Sequence, residues 1–118
     1  MNDIDTFLDK LTTLTEKVEF EQTMAIIDDN YEFKPTKFTN GDTINEAGEN
    51  NGSCKLFAFA KLHGLNEQQT LSCFGHYYRE DVLAHPDADD HQNIRNFIRT
   101  GWDGIKFDNR VLTLIGNN

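Results

Sequence analysis

Residues 54–63 read Cys54-Lys55-Leu56-Phe57-Ala58-Phe59-Ala60-Lys61-Leu62-His63, and only Lys55, Lys61 and His63 among them are polar. The run predicts a helix, and one with so few polar residues must be covered over most of its circumference. Ser53 suits its N-cap, and Gly64 suits a left-handed C-cap with Leu65 packing back. The chain therefore needs a core around this helix. At 118 residues it has the length for one domain that folds without metal or disulfides. Nine phenylalanines supply much of the apolar area.

The flanking patterns are mostly helical. Ile4, Phe7, Leu8, Leu11 and Val18 recur at helical spacing, with Asn2 or Asp3 as a cap. Phe20, Met24 and Ile27 mark a second helix ending near Asp29-Asn30. Tyr31-Glu32-Phe33 alternates before Pro35 and predicts a short strand. Residues 36–52, with turn signals at Asn40-Gly41 and Asn51-Gly52, read as a long loop, which is often functional in a compact domain. Asn66 and Gln69 form a capping box for a helix running to about Leu83. Asp89 and Gln92 form another, for a helix over 90–100 whose core face is Ile94, Phe97 and Ile98. The tail alternates around Asp108-Asn109 and predicts a hairpin of Ile105–Phe107 with Val111–Leu114, to which Tyr31–Phe33 could add. The expected fold is a mainly α single compact domain of about five helices with a small β-hairpin or short sheet.

Charge excludes several functions. The net charge is −9, and the first fifty residues carry twelve acids against four lysines. Such a chain is not expected to bind nucleic acid or an anionic membrane. The turn around Gly64-Leu65 resembles a helix-turn-helix, but its would-be recognition helix, Glu67 to Tyr78, has no Lys or Arg to meet phosphates. No segment has the length of a membrane span, and the acidic start is unlike a secretory signal. The two cysteines, Cys54 and Cys73, make no disulfide framework and fit a reducing cytoplasm.

Four constellations could carry function. Cys54, placed early in a helix behind Gly52-Ser53, could be a nucleophile stabilised by backbone N–H groups, with His76 or His91 as base; the competing reading is a small buried core residue. His85, Asp87, Asp89 and His91 offer metal-type ligands, but Gln92 and Ile98 stand where a calcium loop needs Gly and Glu; a polar turn explains them equally, and no cofactor is expected. Arg95 and Arg99 share a helix face with His91 and could receive an acidic or anionic partner, unless they pair internally or face solvent. Tyr77, Tyr78, Arg79 and Trp102 could form an exposed aromatic patch, although Tyr78 also fits a core stripe. Asn40, Asn45, Asn50 and Asn51 could pin the 36–52 loop by side-chain hydrogen bonds, and Asn40 and Asn50 join the arginines as candidate binding residues.

At several of these places the chain resembles the HopJ family, small proteins named after a type III effector of plant-pathogenic bacteria. The resemblance lies in Phe38-Thr39-Asn40-Gly41, Asn51 to Lys55 with Phe57 and Phe59, Thr70-Leu71 with Phe74-Gly75, Tyr78-Arg79, Val82-Leu83, and His91 through Phe97 to Gly101-Trp102. It covers roughly residues 20–107. It implies no established catalytic or ligand residues. It also raises the reading of a secreted effector, although a capped helix at the start and only two serines, Ser53 and Ser72, suit a bacterial cytoplasmic protein better. The leading expectation is a non-catalytic binding protein with a protein or small-molecule partner. A small cysteine-dependent enzyme is the alternative.

Overall fold

Leu56, Phe57, Phe59 and Ala60 have essentially no exposed surface, so the apolar helix is covered as its composition requires. The computed structural model describes residues 3–115. Five α-helices surround that core: α1 (Asp3–Thr13), α2 (Phe20–Asn30), α3 (Asn51–Leu62), α4 (Glu67–Ser72) and α5 (Gln92–Thr100), with a π-helix at Tyr77–Val82. Five three-residue strands complete the fold: β1 (Tyr31–Phe33), β2 (Phe38–Asn40), β3 (Thr43–Asn45), β4 (Ile105–Phe107) and β5 (Leu112–Leu114). Phe57 of α3 is the hub of an aromatic cluster, with ring centroids 5.0 Å from Phe97, 5.5 Å from Phe74 and 6.3 Å from Phe38.

Each helix starts and stops for local reasons. α1 buries Ile4, Phe7 and Leu11 but ends at Thr13, short of Val18. Thr12 and Thr13 turn their hydroxyls back onto the Leu8 and Asp9 carbonyls, and a 3₁₀ turn at Thr15–Lys17 then delivers Val18 to the core. Of the two caps expected, Asn2 lies outside the described residues. α3 begins at Asn51, earlier than the Ser53 cap predicts, because Asn50 takes a left-handed conformation (φ 50°) and starts the turn itself. The capping box of α4 forms as expected: Gln69 N–H donates to Asn66 Oδ1 at 2.7 Å and Asn66 N–H to Gln69 Oε1 at 3.0 Å.

The helix expected to run from there to Leu83 is broken. Gly75 adopts φ +63° and redirects the chain into the π-helix. The Asp89/Gln92 box does not form either. Gln92 donates its side chain to the Asp89 carbonyl at 2.7 Å, and α5 starts only after His91. Ile98, expected in the core, is 46% exposed, while Asn93 and Asn96 are buried with Ile94 and Phe97.

The strands also depart from expectation. Ile105–Phe107 and Leu112–Leu114 do not pair with each other. They pair with Phe38–Asn40 and Tyr31–Phe33 in one antiparallel register, from Tyr31 opposite Leu114 to Asn40 opposite Ile105. Lys34 N–H to the Val111 carbonyl (2.8 Å) and Asp108 N–H to the Lys37 carbonyl (3.1 Å) carry that register through the gap. Pro35, which has no N–H to give, sits in the interruption. Part of the predicted 36–52 loop is thus strand, since β2 and β3 form a hairpin around Gly41 (φ +61°) and Asp42.

Candidate functional site

The hairpin, the start of α3 and the start of α5 meet through asparagines. Asn40, wholly buried at the end of β2, donates Nδ2 to the Asn93 carbonyl at 2.8 Å and to Asn93 Oδ1 at 3.0 Å. Asn93 Nδ2 donates to Asn45 Oδ1 at 3.1 Å, and Asn45 Nδ2 donates to Asn93 Oδ1 at 3.2 Å. Asn50 Nδ2 joins at 2.7 Å from Asn45 Oδ1. Asn96 Nδ2 reaches the Asn40 carbonyl at 3.1 Å and Thr43 Oγ1 at 2.5 Å. Buried amides must find partners, and here they find one another, with the exception of Asn40 Oδ1, which is buried without a hydrogen-bond partner. The amides thereby fix the hairpin to α5, beside the anchor that buried Phe38 of β2 gives it in the Phe57 cluster.

This network backs a cleft of about 420 Å³ whose lining includes Phe20, Asn50, Ser53, Phe74, Tyr77 and His91. Phe20 stacks near-parallel to Phe74 at 6.1 Å and meets Tyr77 edge-on at 5.5 Å. A Cβ at Gly52 would come within 2.7 Å of the Phe20 ring, so glycine lets that ring lie on the first turn of α3. Asn50 and His91 are the two non-glycine residues with positive φ among those described, at 50° and 52°. Each immediately precedes a helix, and both line this cleft.

Two imidazole–carboxylate pairs flank Tyr77. His91 Nε2 lies 3.1 Å from Asp81 Oδ2, and His76 Nδ1 lies 3.1 Å from Glu19 Oε1. The rings of His76 and His91 sit 4.3 and 5.3 Å from that of Tyr77. Glu19 also accepts the His76 backbone N–H at 3.0 Å and Arg79 NH2 at 2.7 Å. The hydrogen bonds from the His76 backbone and ring hold the Glu19 carboxyl below its ordinary range, and Glu19 in turn raises His76.

The sequence candidates fall out unequally. Asn50 and His91 come together in the cleft, and Asn40 supports it from behind. Cys54 does not join them. Its N–H closes the first helical turn on the Asn50 carbonyl at 3.0 Å, so it is not among the open amides of the helix end. Its side chain is 1% exposed and lies 3.7 Å from the Thr36 carbonyl. Burial pushes the thiol up to about 11, against the thiolate a nucleophile needs. His76 and His91 meanwhile hold carboxylates. Cys73 is buried too, and burial pushes its thiol up to about 12.

Arg95, expected on a binding face, is spent internally. Its guanidinium donates to the Asp90 carbonyl at 2.5 Å, the His85 carbonyl at 2.9 Å and Asp90 Oδ1 at 2.7 Å, and the Arg95 bond is the main cause that lowers the Asp90 carboxyl. Arg99 instead donates to Asn96 Oδ1 from an exposed position. The His85, Asp87, Asp89 and His91 group is not gathered, and among the described residues no three His, Cys, Asp or Glu side chains are placed to hold a metal. Of the aromatic patch, Tyr78 is buried, and Trp102 packs 5.1 Å from Phe97 while donating Nε1 to the Leu65 carbonyl at 3.1 Å.

Sequence reasoning missed Asn93 and Asn96, although their i, i+3 spacing on the Phe97 stripe of an amphipathic helix was a usable signal. The arrangement offers aromatic faces, amides, hydroxyls and a carboxylate-held imidazole. That chemistry suits recognition.

Comparison with known proteins places this architecture. No curated protein matches the chain. The crystal structure of a protein of unknown function, VPA0580, is similar to it, with 58% sequence identity, a TM-score of 0.95, and coverage of 97% of this chain and 95% of that one. The family model described as HopJ type III effector protein matches residues 4–112. The chain belongs to that HopJ family.

Proposed function

We propose that this protein is a non-catalytic binding protein whose recognition site is the Asn50–His91 cleft. The observation that carries the reading is the pair of left-handed non-glycine residues on one cleft. Such conformations cost of order 1 kcal/mol each, less for Asn and His than for bulkier types, and they concentrate at ligand clamps. The ligand class that fits is a small molecule with a planar apolar part for Phe20, Phe74 and Tyr77 and a polar group for Asn50, Ser53 and His91. Buried, unpaired Cys54 and Cys73 support a cytoplasmic site of action. The family description favours a second reading, a translocated effector; a reporter fused to the chain and followed into host cells decides it.

The binding reading is tested with a fragment library followed by amide NMR shifts. Hits should move the signals of Asn50, Ser53, Tyr77 and His91. His91→Gly should keep stability within about 1 kcal/mol, since glycine adopts that φ freely, yet weaken binding at least tenfold. Hits that map elsewhere, or bind His91→Gly unchanged, would sink the reading.

A further inference from the structure

On the side of α3 lined by Ala58, Lys61 and Leu62, a second groove of about 390 Å³ opens against Phe107, Arg110 and Leu112. We propose that this groove and the neighbouring edge of β5 take an extended peptide of another protein, one that alternates apolar and acidic residues. The proposal is independent of the Asn50–His91 cleft.

Charge is the first argument. The chain carries a net −9, yet none of the groove's lining residues is acidic, while Lys61 and Arg110 are both cationic. Among the described residues neither belongs to an ion pair. Lys61 Nζ is held 6.0 Å over the Phe107 ring, which keeps it beside the groove. Two unneutralised cations on an acidic molecule complement an acidic partner, whereas a second copy docked groove to groove would set Lys61 and Arg110 against their own like charges.

Shape is the second. Leu62 in the groove wall is 59% exposed, and Leu114, two residues on from the lining residue Leu112 along β5, is 62% exposed, so apolar surface continues past the groove along the strand and suits a chain longer than a small ligand. The backbone is the third. Among the described residues β5 pairs with β1 on one side and with no strand on the other. Lys34 N–H bonds the Val111 carbonyl and Ile115 N–H bonds the Asn30 carbonyl, so Val111 and Ile115 face the β1 side. Antiparallel alternation then turns the N–H and C=O of Leu114 to the open side. An open edge next to an apolar groove is the geometry of strand addition, where the main chain gives affinity and the pockets give specificity.

The test is selection from a displayed library of short random peptides, counter-selected on the Lys61→Glu/Arg110→Glu double variant. Both positions are exposed, and the variant's fold is checked by its circular dichroism and melting. Enriched peptides should alternate apolar and acidic residues, bind the double variant at least tenfold more weakly, weaken with added salt, and shift the amides of Ala58, Leu62 and Leu114. Leu114→Pro, which removes an outward N–H without touching the β1 ladder, should weaken them too. No enrichment over the double variant, neutral or basic winners, shifts confined to other surfaces, or concentration-dependent dimers that cover the groove would each overturn the proposal.

Discussion

Glu19 is where a single carboxylate does most. It precedes α2, accepts from the His76 backbone and ring, and accepts from Arg79, tying the end of α1's connection to the turn before the π-helix. Its carboxyl is lowered from 4.5 and His76 is raised from 6.5. Beyond Glu19, the groups that pull His76 upward are Glu21 and Asp81. The signs define a window. A raised histidine contributes stability in full below 6.5 and loses it as pH climbs through its folded value; a lowered glutamate contributes in full above 4.5 and loses it as pH falls through its own. The pair is therefore complete between those two limits. Urea midpoints of wild type and His76→Ala should differ most in that window, and the difference should shrink at higher pH. Since the pair is half exposed, the effect is modest. A difference that does not vary with pH would show that His76 acts through its packing on Tyr77 alone.

At the scale of elements, Gly75 decides the topology between α4 and the π-helix. A Cβ there would lie 2.4 Å from Glu19 Oε1, 2.7 Å from Glu19 Cα and 2.8 Å from Phe20 N. Two of those neighbours are backbone and cannot step aside. Gly75→Ala should cost well over 1 kcal/mol, the φ strain plus a forced displacement of α2's start. Gly48 is the control. It has φ +95° and open space around it, so its alanine variant should show the φ penalty alone. Equal losses in chemical denaturation would mean that the contact with Glu19 is not tight. The same glycine shows what a sequence does and does not disclose. Phe74-Gly75-His76 offered no turn signal inside a good helical pattern, because the cause of the break is a neighbour far away in sequence. The Asn66–Gln69 box, whose partners are local, was readable outright. So were β1 and the burial of α3. The pairing of β4 and β5 was not, since three-residue strands carry too little pattern to name partners. Of the candidate site, Asn50 and His91 were readable as residues to watch, but their left-handed conformations and shared cleft needed the tertiary structure.

For the molecule as a whole, the asparagine network decides whether the cleft exists. It joins β2, β3, the start of α3 and α5 beside the Phe38–Phe57–Phe97 ring contacts, so amides set the register of the walls carrying Asn50 and His91 on top of that apolar anchor. Removing one amide leaves its buried partners unsatisfied, at about 1–3 kcal/mol for each group stranded. Asn93→Ala strands Asn40 Nδ2 in part and both side-chain atoms of Asn45 in part, and Asn45→Ala strands buried Asn93 Nδ2, while exposed Asn50 turns its amide to water. Each variant should lose about 2–3 kcal/mol. The double variant should lose clearly less than the sum, by about 1 kcal/mol or more, because the second truncation removes a group the first had already stranded. Additivity within about 0.5 kcal/mol would mean the two side chains act separately. Ligand binding supplies the other half of the argument. If the network holds the walls in register, Asn45→Ala should lower affinity at the cleft without touching a cleft-lining side chain, and amide exchange should quicken in the 38–45 hairpin before it quickens in α3.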